Sequence, residues 1–178
     1  MAERSDDLDL VKRIARRDVA ALETLASRYE PMLLGLARGL LSNDFNTACD
    51  AVQDCWVRVI RSAKGFRGDC EVRTWLYRIV VNRCHDLRAR ASLSVNEETA
   101  PPAPLPTDSH AELRRAVDRL SHEQRLLVLL CYHSGLTHPQ VADVLGIPEG
   151  TVKSRLNAAL ASLRRTLGEE PSSNGAHL

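Results

Sequence analysis

The chain has 178 residues, of which 44% are hydrophobic and only 4% aromatic. This length suits one medium domain or two small ones, and the low aromatic content favours helices over sheets. The 24 Lys and Arg almost balance the 23 Asp and Glu, which excludes a uniformly basic nucleic-acid binder, so a polyanion site would have to come from local sorting of charge.

Residues 1–91 contain four stretches with helical periodicity, which predict a small helical bundle. A short helix from about Asp6 precedes a longer one from about Asp18, which Pro31 is expected to kink or split. The third helix spans residues 47–64, and its apolar stripe comprises Val52, Cys55, Trp56, Val59, Ile60 and Ala63. The fourth helix follows a loop with two glycines, and its stripe comprises Leu76, Ile79, Val80, Arg83 and Leu87.

Residues 92–111 separate this bundle from the rest of the chain. The stretch holds four prolines and has neither helical nor strand periodicity, so it is predicted to be a linker in partly polyproline conformation. At about 3.1 Å per residue, such a linker could hold two units up to about 60 Å apart. The last ten residues, 169–178, are predicted to be a disordered tail.

Residues 112–168 are predicted to form a second helical unit that contains a helix-turn-helix. Two helices are separated near Ser121, whose spacing to Gln124 is that of a capping box. Thr137 can cap a short helix that Gly146 ends, and Pro148 lies at the first turn of a longer one. The fold class is therefore all-α, with two small helical domains joined by a proline-rich linker.

The front of the last helix carries the side chains typical of a DNA-recognition helix. Arg, Lys and Asn can bind purine edges in the major groove, and Thr or Ser can bind phosphate. The accessible candidates are Thr151, Lys153, Ser154, Arg155 and Asn157. A helical hairpin with a solvated basic face is the alternative interpretation.

The residues alone leave the role of two further surfaces undecided. In residues 67–90 arginines outnumber acids and are interleaved with Trp75 and Tyr77, which suits opened nucleic-acid strands. A solvated arginine face is the alternative, and Trp75 itself is favoured as a core residue. The polar face of the third helix is typical of a solvated surface, on which Asp54 and Arg58 would form an i, i+4 ion pair.

No pattern for catalysis, metal binding or membrane insertion is present. The five cysteines show no C-x-x-C spacing, the six histidines form no ligand pair, and no nucleophile elbow or phosphate loop occurs. No stretch approaches the roughly 18 apolar residues of a membrane span, and the N-terminus has no signal peptide. We therefore expect a cytoplasmic protein that is not an enzyme and needs no metal or cofactor.

Three stretches occur in order on either side of the linker: "DAVQDCWVRVIRSAKGFRG", "RTWLYRIVVNRCHDLR" and "LTHPQVADVLGIPEGTVKSRLNAALASLRR". Together they resemble the small extracytoplasmic-function sigma factors of the sigma-70 family, over nearly the whole chain. The resemblance implies a sigma factor that directs core RNA polymerase to promoter DNA and is held inactive by an anti-sigma factor. Residues 1–91 would be sigma domain 2 and residues 112–168 sigma domain 4, while catalysis would belong to the polymerase.

The resemblance also implies roles for individual residues. The clamp helices of the polymerase large subunit would be bound by Asp50, Gln53, Asp54, Arg58 and Arg61. The minus-ten element would be recognised and opened, with a flipped base held near the loop, by Arg67, Asp69, Arg73, Thr74, Tyr77, Arg78, Asn82 and Arg83. The minus-thirty-five element would be read by Thr151, Lys153, Ser154, Arg155 and Asn157.

The sequence departs from the family pattern at the back of the recognition helix. Ala158 and Leu160 stand where arginines often continue, so we expect fewer phosphate contacts and a weaker hold on the upstream element. Two other functions remain open. A two-domain regulator would bind an operator without polymerase, and a helical adaptor would bind no nucleic acid at all.

Overall fold

The computed structural model describes residues 2–42, 44–93 and 109–168, and these ranges form eight α-helices and no β-strand. The helices are α1 (Ala2–Ile14), α2 (Val19–Leu40), α3 (Phe45–Ser62), α4 (Val72–Leu93), α5 (Ser109–Asp118), α6 (His122–Val128), α7 (His138–Leu145) and α8 (Glu149–Thr166). A 3-10 turn, Ala63–Gly65, follows α3, and a π-helical turn, Leu129–His133, extends α6. The all-α prediction is confirmed, whereas the predicted tail and most of the predicted linker lie outside the described residues.

Two aspartates begin the long helices of the first unit. The Asp18 carboxylate accepts a hydrogen bond from the backbone N–H of Ala21 at the start of α2. Asp44 caps α3 in the same way, accepting from the N–H groups of Asn46 and Thr47. Donors that bind the charged carboxylate lower its pKa. The pKa of Asp18 is lowered chiefly by the N–H of Ala21, and that of Asp44 chiefly by the hydroxyl of Thr47 and then by the backbone N–H groups.

Of the two outcomes expected at Pro31, a kink or a split, the split does not occur, because α2 runs through this residue as one helix. Pro31 itself is exposed, while Tyr29 and Leu33 on either side of it are buried. Because Leu25 and Leu36 extend the same buried face, packing against the neighbouring helices keeps the chain helical on both sides of Pro31 although one backbone donor is missing.

The predicted stripe of α3 is buried at its centre and open at one edge. Val52, Cys55 and Val59 are buried, whereas Trp56 is half-buried and Ile60 is 49% exposed. The assignment of Ile60 to the core is therefore wrong. One residue is a step of about 100° around a helix, so Ile60 lies to one side of the buried Val59, and it lines an open groove at the junction of α1, α2 and α3.

Helix α4 is buried on more sides than its predicted stripe. Leu76 and Val80 are buried as predicted, but Tyr77, Val81 and Cys84 are buried as well. The predicted members Ile79, Arg83 and Leu87 are only half-buried. More of α4 is buried than expected because it packs against α2 and α3 of its own unit and also against α7 of the second unit.

The second unit has the predicted caps and turn. Ser121 and Gln124 form a capping box at α6, and Thr137 and Gln140 form another at α7. Gly146 ends α7 in the left-handed region with φ 65°. The π-helical turn was not expected. Helical spacing in the sequence also predicts an inward position for Leu113 of α5, but this residue is 46% exposed.

The two units pack together. Helix α4 contacts α7, and α2 contacts both α6 and the π-helical turn. The sequence had indicated only that a linker could hold the units up to about 60 Å apart. In this structure the helix-turn-helix lies directly on the face of α4 whose residues the sequence associates with DNA.

Candidate nucleic-acid interface and protein-binding face

The tight turn between α7 and α8 presents the front of α8. Its geometry comes from Gly146 at the end of α7 and from Pro148, which stands at the N-cap of α8. The buried side of α8 comprises Val152, Leu156, Ala159 and Leu163. Helical spacing in the sequence predicts these four and also Leu160, which is only half-buried. Of the five recognition candidates, Thr151 is half-buried, and the others are exposed: Lys153, Ser154, Arg155 and Asn157.

The two cationic side chains on this front, Lys153 and Arg155, form ion pairs with exposed acidic residues. Lys153 Nζ lies 2.9 Å from a Glu149 oxygen, and Arg155 Nη1 lies 3.5 Å from a carboxylate oxygen of Glu123. The ammonium of Lys153 lowers the pKa of Glu149. Because exposed ion pairs contribute little net free energy, a phosphate or a base edge can replace either acid. The sequence analysis missed these pairs, since both acids lie outside the basic segment.

A cavity of about 390 Å³ lies between the end of α3, the following loop and α4. It is lined by Arg61, Ser62, Gly65, Phe66, Arg67, Asp69, Cys70, Trp75 and Arg78. Trp75 is half-buried and stacks on Phe66, with ring centroids 4.6 Å apart. An aromatic wall beside several guanidinium groups suits an unstacked nucleotide. Phe66, which lines this cavity, was missed because sequence periodicity says little about loop residues.

The structure divides the eight minus-ten candidates into three groups. Arg67, Asp69 and Asn82 are exposed. Thr74 and Tyr77 are buried, with at most 1% of their surface exposed, so neither offers a face to DNA in this arrangement. The remaining three are bound by other parts of the chain: Arg73, Arg78 and Arg83.

Each of these arginines has a defined partner. Arg73 donates to the backbone carbonyl of Ser134, and Arg78 Nη2 donates to that of Asp143 at 2.6 Å. Both acceptors belong to the second unit. Arg83 instead forms an ion pair of 2.6 Å with Asp54 on α3.

The polar face of α3 is tied to α4. Asp54 pairs with Arg83, and Arg58 lies 3.5 Å from Asp86. The expected i, i+4 ion pair between Asp54 and Arg58 is therefore replaced by two contacts between helices. The other members of this face are exposed, namely Asp50, Gln53 and Arg61.

Apolar side chains lie next to this polar face. Val57 is 42% exposed and Ile60 49% exposed. Ile60 also lines a groove of about 570 Å³ at the junction of α1, α2 and α3, where Val19 is exposed as well. Exposed apolar residues that adjoin charged ones are typical of protein-binding surfaces.

The described residues contain no cluster of three or more potential metal ligands. All five cysteines are free thiols. Burial raises the pKa of Cys55 and that of Cys84 to about 12, so both stay protonated and unreactive at neutral pH. No helix among the described residues is long and apolar enough to cross a membrane.

Family models match both units. A model of Sigma-70 region 2 matches residues 25–93, and a model of Sigma-70 region 4 matches residues 110–163. The chain is also 39% identical to the ECF RNA polymerase sigma factor SigM of Mycobacterium tuberculosis, over 93% of this chain and 86% of that protein. The chain belongs to the sigma-70 family. It is an ECF sigma factor, which directs RNA polymerase to promoters, as the sequence indicated.

Two solved structures resemble this sigma factor over both units. CnrH, in complex with the cytosolic domain of CnrY, aligns with a TM-score of 0.72 and 25% identity, over 93% of this chain and 99% of that one. The sigma factor RpoE of Bartonella quintana, in complex with the anti-sigma factor NepR, aligns with a TM-score of 0.68 and 26% identity. This second alignment covers 82% of this chain and 96% of the other.

Proposed function

We propose that this sigma factor reads its two promoter elements with separate units and binds core polymerase with a third surface on α3. It would act in the cytoplasm, where polymerase and the chromosome meet, and the polymerase would supply all the chemistry. The observation that carries the proposal is the exposed front of α8. Four polar side chains are exposed in the first turns of this helix, directly after the tight turn that Gly146 begins.

For the minus-thirty-five element, α8 enters the major groove by its N-terminal end. Arg155 would donate to a purine edge and Lys153 would bind phosphate, and each would exchange its present acidic partner for DNA. Thr151, Ser154 and Asn157 complete this surface. Ala158 is exposed on the back of α8, at a position where a cationic side chain could bind phosphate. Promoter specificity would therefore depend on the residues at the front of the helix.

For the minus-ten element, the cavity beside Trp75 is proposed to hold a flipped base. Arg67 and Asp69 stand at its wall and are exposed, and the stacked pair of Phe66 and Trp75 supplies an aromatic surface. A flipped base gains hydrogen bonds and stacking in such a pocket, which offsets the cost of leaving the duplex. The remaining candidates with partly or fully exposed side chains extend along α4, namely Arg73, Arg78, Asn82 and Arg83. The buried Thr74 and Tyr77 would instead support this helix from within.

The proposed polymerase-binding face consists of the polar side chains of α3 together with the exposed apolar side chains next to them on the same helix. Asp50, Gln53 and Arg61 supply polar contacts, while Val57 and Ile60 add apolar area that the sequence analysis had not counted. Asp54 and Arg58 bind α4 and therefore also position the two helices. An anti-sigma factor is a further proposed partner, since the similar RpoE was solved with one.

The test is transcription from a library of promoters with randomised upstream positions, using reconstituted polymerase and sequencing of the transcripts. Arg155→Ala should lose about 1 to 3 kcal/mol of discrimination at one or two upstream positions. Lys153→Ala should weaken all promoters alike and lower the salt slope by about one unit.

The matched control is Arg164→Ala, which removes the same charge from the exposed far end of α8. It should leave the preferred upstream sequence unchanged. If Arg155→Ala gives the same sequence preference as Arg164→Ala, α8 does not read bases and the assignment is wrong.

A further inference from the structure

Exposed cationic side chains surround the groove at the junction of α1, α2 and α3. Arg17, Arg61 and Lys64 line this groove of about 570 Å³, and Arg16 is exposed at the preceding position of the chain. Within the described part of the chain, none of these four side chains forms an ion pair with an acid. The acid that lines the groove, Asp18, already has an ion-pair partner and caps α2. The charge without a partner around this groove is therefore positive.

The groove adjoins the cavity that is proposed to hold the flipped base. Arg61 lines both of them. Lys64 lies in the 3-10 turn, Ala63–Gly65, and Phe66 and Arg67 of the cavity follow directly. Three residues of chain span at most about 11 Å, so a strand that leaves the cavity on this side reaches Lys64 within a few nucleotides.

The backbone at Arg17 has a conformation that suits glycine better than arginine. Its φ is 66°, in the segment that joins α1 to α2. This left-handed region costs a residue with a Cβ free energy that glycine does not lose. Such strain persists at sites where the side chain has a function. The conformation therefore indicates that the guanidinium group, and not the turn, accounts for the arginine at this position.

The chemistry of the groove favours a nucleic-acid strand as its partner. Guanidinium and ammonium groups without acidic partners bind phosphates through charge-assisted hydrogen bonds. Apolar side chains between them, such as Ile14 and Val19, can contact the faces of unstacked bases. An acidic protein helix would use the same charges. A strand also accounts for the connection between the groove and the base cavity, which a protein partner does not need.

We propose that the opened strand whose base occupies the minus-ten cavity continues across this groove, where its phosphates bind a basic rim made of Arg16, Arg17 and Lys64. Helix α4 runs from the cavity, near Trp75, to Leu93, where the chain continues toward the upstream reader. No residue of α4 lines the groove, so the strand on this side lies downstream of the minus-ten element. The inference rests on the proposed minus-ten cavity. It gives the rim a sequence-independent role, because phosphates carry no base identity.

Two substitutions in the rim test this path. Arg17→Gly removes a guanidinium group and also relieves the positive φ, so it should weaken DNA binding while it keeps or raises the urea midpoint of unfolding. Lys64→Ala removes a second charge from an exposed position. Arg119→Ala is the control, because it removes the same charge from an exposed residue of the second unit, to which the probes described next offer no upstream element.

The measurement is fluorescence anisotropy of labelled DNA with polymerase reconstituted with each variant. One probe is the tighter-binding single strand of the minus-ten element found with the promoter library, and two others extend it by six random nucleotides downstream or upstream. The downstream extension should tighten binding of the wild type and of Arg119→Ala. The double variant Arg17→Gly, Lys64→Ala should lose most of this gain. Its salt slope with the downstream probe should fall by about 1.4 units, at roughly 0.7 per single-strand phosphate contact.

A neutral strand tests whether the phosphates are the groups that are bound. Methylphosphonate linkages in the downstream extension remove its charges and should weaken binding of the wild type at least as much as the double substitution does. They should weaken the double variant less, because two changes to the same contact are not additive. Equal losses in the wild type and in the double variant overturn the proposal.

Three further results would contradict this path. These are an equal loss with all three probes, a gain that follows the upstream extension instead, and weaker binding of the double variant to core polymerase without DNA, which would assign the rim to the protein-binding face of α3. The proposed function is judged separately, by Arg67→Ala with the shortest probe and by Arg155→Ala in the promoter library. Neither residue belongs to the rim, so failure of the strand path and failure of promoter reading are distinguishable.

Discussion

Two glycines four residues apart have different roles on either side of the turn that orients α8. Gly146 ends α7 with φ 65° and ψ 34°, a left-handed conformation that costs most residues free energy because of their Cβ. Gly150 lies in the first turn of α8, where glycine lowers helix stability relative to alanine. At neither position would an added Cβ have a neighbouring atom within 4 Å. The two positions therefore differ in their tolerance of alanine only through backbone conformation.

The same substitution at these two glycines should therefore have opposite effects. Gly146→Ala should lower the free energy of unfolding by about 1 kcal/mol, because alanine is strained at positive φ. Gly150→Ala should raise it by about 0.5 to 1 kcal/mol, because alanine favours the helix. Urea unfolding followed by circular dichroism measures both. Equal effects of the two changes would contradict the backbone argument.

At the scale of whole helices, tertiary packing outweighs local preference in α2. Pro31 lies inside this helix, where it removes a backbone donor, yet the helix continues to Leu40. Pro148 has the same chemistry at a different place, because it stands at the N-cap of α8, where the fixed φ of proline suits the chain. The effect of each proline follows from its place in a helix.

Replacing each proline with alanine tests this difference. Pro31→Ala should raise the free energy of unfolding by about 1 to 3 kcal/mol, since it restores a helical hydrogen bond and removes little buried surface from an exposed site. Pro148→Ala should lower it by about 0.5 kcal/mol, because the unfolded chain becomes more flexible. Thermal and urea unfolding report both changes, and a loss of stability in Pro31→Ala would show that α2 is adapted to its proline.

At the scale of the whole molecule, the contact between the units contains a histidine that is disfavoured in its charged form. Burial, followed by the charges of Arg88, His85 and Arg125, lowers the pKa of His122 to about 4. His85 and Arg88 belong to α4, and Arg125 belongs to α6, which carries His122. Separation of the units would return His122 to water and to its ordinary pKa near 6.5.

Acidification should therefore weaken the contact between the units. The packed arrangement binds fewer protons at His122 than separated units would, so the contact is strongest above pH 6.5 and weakens by up to about 1.4 kcal/mol per pH unit as the pH falls toward 4. The radius of gyration measured between pH 7 and pH 5, above the range where most carboxylates titrate, should rise. His122→Phe keeps a ring without a titrating group, and an unchanged pH dependence in that variant would assign the effect to another residue.

Much of the fold was predictable because its determinants are local. The capping boxes at Ser121 and Thr137 and the left-handed Gly146 each depend on residues within one helical turn, and the structure contains all of them. The front of α8 was also predictable, since the spacing of its buried residues decides which side chains face outward. The exposure of Ile60 could not be predicted, because it depends on which edge of α3 the neighbouring helices leave uncovered.

By itself, the sequence determined three features of this protein. Helical periodicity indicates the two helical units, local caps indicate the turn between α7 and α8, and the order of the motifs along the chain indicates the sigma-70 family. Only the tertiary structure decided that Asp54 pairs with Arg83 and that the carbonyls of Ser134 and Asp143 bind the arginines of α4. These contacts join residues 29 to 65 positions apart, as the numbering shows for Asp54 with Arg83 and for Arg78 with Asp143. Their acceptors include backbone carbonyls, which every residue carries, so no pattern of side chains announces them.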